Sequence, residues 1–139
     1  MTQEEKKLLI KDLCSRLPYD TVIHYHWEKK GTNAIVDVDR ELDFSDVDSL
    51  KYTLTDPQDD WCIIDWKPYL RPMSSMTEEE KYYYFRCIDE VDGYKITVTV
   101  IYQDKALELL DWLNAHHFDY RGLIEKGLAL EAREGMYKM

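Results

Sequence analysis

Residues Thr21 to Trp27 alternate in the pattern of a β-strand, with Val22, His24 and His26 on one side and Ile23, Tyr25 and Trp27 on the other. The polar turn EKKGTN follows, and Gly31 supplies a backbone position that a side chain would strain. Ala34 to Asp39 then returns as a second strand, so the two segments read as a β-hairpin. A hairpin alone is marginal in water and needs further strands or a covering helix to bury its apolar side. The rest of the chain must supply that cover.

Helical cover begins at the first residues. Thr2 and Glu5 have the capping-box spacing, in which each side chain satisfies a backbone N–H that the first turn of a helix leaves without a partner. Leu9, Ile10, Leu13, Cys14 and Leu17 then share one helical face, and Pro18 ends the element because it has no N–H to continue it. Thr77 and Glu80 repeat the capping box, and Glu78 and Glu79 suit the positive end of a helix dipole. They predict a central helix from Glu78 to about Ile88, with Tyr84, Phe85 and Ile88 toward the core. A third helix is expected from near Asp104, carrying Leu107, Leu110, Trp112 and Leu113 and ending at the histidine pair. Gly122 and Gly127 bracket one more helical turn, GLIEKG, after it.

Three further strands are expected. Lys51–Thr55 and Trp61–Trp66 flank DPQDD, whose proline and aspartates are turn chemistry, and KITVTVIY (Lys95–Tyr102) is a continuous run of β-branched and aromatic residues after the turn at Asp92-Gly93. Arg40 to Leu50 reads as a loop, and Lys67 to Ser75, with two prolines, as an extended crossing. The expected architecture is therefore α+β: a single domain spanning 1–139, with a largely antiparallel sheet of about five strands covered by an N-terminal helix, a central helix and a C-terminal helix pair.

Composition fits one folded domain. The chain is 45% hydrophobic and 13% aromatic, which argues against disorder. No run approaches the eighteen apolar residues of a membrane span, and the N-terminus is charged from its fourth residue, so a cytoplasmic protein is expected. Cys14, Cys62 and Cys87 are widely spaced and form no CxxC pair; they read as buried free thiols. The net charge of −10 is concentrated, since ten acids between Asp37 and Asp65 face only Arg40 and Lys51, a net of −8 in that band. Such a band repels nucleic-acid phosphates and membrane surfaces, so direct binding to either is disfavoured. It suits a protein partner with a basic surface, or else simply solvates one face of a sheet.

Four constellations carry candidate chemistry. His24-x-His26 places two imidazoles on one strand face, half of a zinc site, with Asp37 or Asp39 on the paired strand as a further ligand; the alternative is a solvent-facing pair. Asp65-x-Lys67 echoes the acid-x-lysine element of metal-dependent nucleases, against which Pro68 and the acidic band both speak. His116, His117, Asp119, Tyr120 and Arg121 form either a binding surface or a structural closure, in which Asp119 caps the short helix after it and the histidines meet the negative end of the helix before it. Tyr82, Tyr83, Tyr84 and Phe85 span too much of a helix circumference to be buried together, which leaves Tyr82 and Tyr83 as candidate interface anchors. GxSxG, P-loop, GxGxxG and HExxH motifs are absent from the sequence, and no catalytic residue and no cofactor is expected. The residues thus point first to a non-enzymatic interaction module and second to a metal-dependent hydrolase or nuclease using His24 and His26, or Asp65 and Lys67.

The segments MTQEEKKLLIKDLCSRLPY, IDWKPYLRPMSSMTEEEK and DWLNAHHFDYRGLIEKGLALEAREGMYK resemble a family of short uncharacterised proteins from gut Bacteroidales and their phages or mobile elements. The likeness covers both ends and the centre, leaving out Asp20–Cys62 and Tyr82–Lys105. It implies a setting and no chemistry: an adaptor or inhibitor that docks on a host or phage protein.

Overall fold

The computed structural model describes residues 2–55, 62–97 and 99–137, with side chains for 2–51, 64–89 and 105–137. Helix α1 (Gln3–Arg16) opens with the expected capping box, Glu5 N–H donating to Thr2 Oγ1 at 3.1 Å while the Glu5 carboxylate accepts from Thr2 N–H. A single 3-10 turn at Leu17–Tyr19 carries Pro18 and stops the helix. Strands β1 (Val22–Lys29) and β2 (Ile35–Glu41) form the expected antiparallel hairpin, with His24 opposite Asp39 and His26 opposite Asp37. Gly31 takes φ +77°, the left-handed conformation the turn requires.

Helix α2 (Phe44–Thr55) stands in place of the expected loop and strand. Asp43 starts it: its carboxylate accepts from the N–H groups of Ser45 and Asp46, and the Asp46 carboxylate accepts from Asp43 N–H at 3.0 Å. Val47 and Leu50, three residues apart, then enter the core. Strand β3 (Cys62–Leu70) pairs antiparallel with β1 and runs four residues past the expected end at Trp66, through Pro68.

Helix α3 (Glu78–Thr97) starts with the second capping box but continues through Asp92-Gly93, and α4 (Thr99–Ala115) follows. The run expected as the strand Lys95–Tyr102 is therefore helical on both sides of residue 98. β-Propensity spans only about 1 kcal/mol and yields when a long helix can form around it. The helix pair lies at α3–α4 rather than at the C-terminus, where GLIEKG makes hydrogen-bonded turns and no helix. Strand β4 (Leu130–Glu131) pairs parallel with Tyr69 and Leu70. The result is an α+β fold with one mixed sheet, order β2-β1-β3-β4, containing four strands rather than five among the described residues.

The core lies on one face of that sheet. Leu9 and Leu13 of α1, Leu42, and Val47 and Leu50 of α2 pack on Ile23 and Trp66, with Tyr25 and Ile64 at the margin. A second cluster joins α3 to α4 through Met76, Cys87, Leu109, Leu113 and Phe118. Several expected core residues are elsewhere. Cys14 is exposed on α1, because buried Asp12 and Arg16 hold the inward positions, and Phe85 (60% exposed), Leu107 and Leu110 lie on the outer surface of α3 and α4. No helix is long and apolar enough to cross a membrane among the described residues.

Candidate functional site

Cross-strand register assembles the first candidate site on the sheet face opposite the core. His24, His26 and Glu28 of β1 share it with Asp37, Asp39 and Glu41 of β2 and with Asp65 and Lys67 of β3. The structure thus brings both histidines, Asp37, Asp39 and the Asp65-x-Lys67 element onto one surface. At its centre His24 is clasped, with Nδ1 2.7 Å from Asp39 Oδ1 and Nε2 2.6 Å from Asp37 Oδ1. A neutral imidazole donates from one nitrogen only, so both contacts are satisfied by the protonated ring alone. The hydrogen bond to Asp39 is the main cause of a His24 pKa raised above its ordinary value, with the charges of Asp37 and Asp39 adding to it.

Asp39 is itself a hub. It accepts from Tyr69 Oη at 2.9 Å and from Arg133 Nη2 at 3.1 Å, and its own pKa is lowered, first by the bond to His24. Sequence reasoning misses Tyr69 and Arg133, since no local pattern places a residue of the C-terminal tail beside the hairpin. His26 is held more loosely, 3.5 Å from both Asp37 and Glu28, and Lys67 sits 3.8 Å from Asp65. Histidine ligates a metal through a nitrogen lone pair, and His24 would have to give up one of these two hydrogen bonds to offer one. Among the described residues no group of three or more His, Cys, Asp and Glu side chains is arranged to hold a metal ion. Among the described residues the face carries five carboxylates against the permanent cations Lys67 and Arg133, so their sum is negative in either charge state of the histidines. Asp56, Asp59 and Asp60 of the acidic band lie outside the described residues.

The second candidate, His116 to Arg121, is drawn into packing. Helix α4 ends in a Schellman arrangement, with His117 N–H donating to Asn114 O and Phe118 N–H to Leu113 O, each at 3.0 Å. His117 occupies the left-handed position usually given to glycine, at φ +62°. The two histidines diverge as adjacent residues must: His116 stacks on Trp112 at 4.6 Å, while His117 is buried against Tyr137 and lies 3.3 Å from Thr21 Oγ1. Burial, together with the charges of Arg16 and Arg71, pushes the His117 pKa down to about 4. Asp119 caps hydrogen-bonded turns in place of the short helix expected after it, accepting from Leu123 N–H at 2.8 Å and Ile124 N–H at 3.0 Å.

Tyr120 and Arg121 close onto α1. Buried Asp12 receives Arg16 Nε at 2.7 Å, Arg16 Nη2 at 3.0 Å and Arg121 Nη1 at 2.9 Å, and Arg16 Nη2 also reaches Phe118 O at 2.8 Å. Arg121 donates to Tyr120 Oη, which donates to Asn114 Oδ1. The i,i+4 spacing of Asp12 and Arg16 is a legible helix pair in the sequence; its burial depends on Phe118 and Arg121, more than a hundred residues away. Next to it the Arg71 guanidinium covers the Phe118 ring at 4.2 Å and grips Glu80 through two bonds of 2.8 and 2.9 Å, which hold the Glu80 pKa down at about 2.

The tyrosine run divides as its helical spacing requires. Tyr82 is 71% exposed, whereas Tyr83 is half-buried on Trp112 at 4.8 Å, with its phenol pKa raised by its hydrogen bond to Cys87 and by burial. Comparison with family models, with curated proteins and with solved structures finds no match to this chain.

Proposed function

We propose that this chain is a non-enzymatic protein-binding module whose acidic sheet face receives a basic partner protein. One observation carries the reading: the carboxylates of β1, β2 and β3 share the sheet face that α1 and α2 leave uncovered. The His116–Arg121 segment supports it indirectly, because its side chains are spent on one another and on α1. Net negative potential on such a face accelerates encounter with a cationic surface and discourages acidic competitors. An adaptor or inhibitor from a phage or mobile element, the setting implied by the family resemblance, would act through such a face.

The test is affinity capture from cell lysate with the full chain and with Asp37→Asn/Glu41→Gln/Asp65→Asn, at low and high salt. The reading expects a basic protein retained by the wild type at low salt and lost both at high salt and with the variant. Equal capture by both chains would contradict it.

A further inference from the structure

We infer that the partner docks by strand addition along the outer edge of β2, presenting an extended segment in which basic residues alternate with β-branched ones. The inference rests on the proposed docking of a basic partner and names the mode and the chemistry of that docking. On the β3 side of the sheet the C-terminal chain covers the strand's last residues: Tyr69 and Leu70 pair with Leu130 and Glu131, Ala132 N–H donates to Leu70 O at 2.8 Å, and Arg71 exchanges backbone bonds of 2.7 and 2.9 Å with His117 and Asp119. The outer edge of β2 has no paired strand among the described residues.

β2 keeps a continuous register of seven pairs with β1, and its sequence IVDVDRE carries charges at Asp37, Asp39, Arg40 and Glu41 but no proline, glycine or lysine. Ile35 is 58% exposed and Val36 and Val38 are each 42% exposed, so β-branched side chains stand beside an outer strand edge that no strand pairs among the described residues. A strand of seven residues spans about 24 Å, enough for a matching segment of the same length.

The side chains specify the occupant. Asp37, Asp39 and Glu41 project to one face with Ile35, and Val36 and Val38 to the other with Arg40. An incoming strand with Lys or Arg at one parity and Val or Ile at the other would meet both faces, since directly opposed unlike charges and β-branched pairs each stabilise a sheet. A second copy of this chain is a poor occupant. Antiparallel β2–β2 pairing would set Asp37 and Asp39 opposite acids of the same parity, and like charges directly opposed are destabilising.

The experiment uses the full chain and a dye-labelled seven-residue peptide of alternating lysine and valine, read by fluorescence anisotropy. A matched peptide is N-methylated at two adjacent central residues, which preserves charge but removes an N–H from each of its edges. Strand addition predicts binding of the first peptide and at least tenfold weaker binding of the second. Equal binding of the two would overturn strand addition while leaving charge-driven docking in place. Absence of binding by either would overturn both, and a homodimer that excludes the peptide would overturn the inference in favour of self-pairing.

Discussion

His117 stacks on Tyr137 with ring centroids 3.6 Å apart and planes inclined by 13°, fastening the C-terminal tail over the end of α4. The contact is made by a neutral imidazole in a site that disfavours its charge. With a folded pKa near 4 and an ordinary value of 6.5, His117 contributes stability that is fully present above pH 6.5 and lost as pH falls toward 4. The shift corresponds to about 3 kcal/mol. Urea midpoints measured from pH 7.5 to 4 should fall in this window for the wild type. His117→Asn, which tolerates the left-handed backbone, should be less stable at pH 7.5 yet show a flatter profile.

Tyr137 also acts through its hydroxyl. It accepts from Val22 N–H at 3.0 Å and donates to Tyr69 O at 2.6 Å, bridging β1 and β3 where their pairing ends. Tyr137→Phe keeps the ring on His117 but leaves these backbone groups unmatched. A loss of about 1–3 kcal/mol is expected by equilibrium unfolding, with faster amide exchange at Val22.

Asp12 balances two arginines in the interior. Asp12→Ala strands Arg16, which is fully buried, and Arg121, so destabilisation of about 3–5 kcal/mol is expected in urea denaturation. A change below about 1 kcal/mol would show that the network does not hold α1 to the C-terminal segment.

His24 runs opposite to His117 in its pH dependence. Its raised pKa means that its contribution to stability is complete below its ordinary value of 6.5 and disappears as pH rises through the folded value. NMR titration of the ring should give a pKa above 6.5 in the wild type. Asp39→Asn should lower it more than Asp37→Asn, because the Asp39 hydrogen bond is the larger cause.

The features legible in the sequence are local. The alternation from Thr21 to Trp27, the boxes at Thr2/Glu5 and Thr77/Glu80, and the Asp119 cap each depend on neighbours within five residues, and each appears in the structure. Helix α2 is hidden because Asp46, rather than Glu or Gln, completes the cap begun by Asp43, and because the surrounding acids resemble a turn. Lys95 to Thr97 shows the converse, a β-branched neighbourhood absorbed by the helix it continues. Burial of Asp12 and Arg16, the tail's hold on Asp39 and the exposure of the β2 edge are out of reach, since each depends on contacts or strand order that no local pattern encodes.

The central claim, that partners dock on the acidic sheet face and its β2 edge, is tested most directly by hydrogen–deuterium exchange of the full chain alone and in complex with the captured basic protein. The account predicts new protection concentrated in Ile35–Glu41, with His116–Arg121 unchanged. Protection confined to Tyr82–Phe85 or to His116–Arg121, with β2 exchanging as in the free chain, would contradict it.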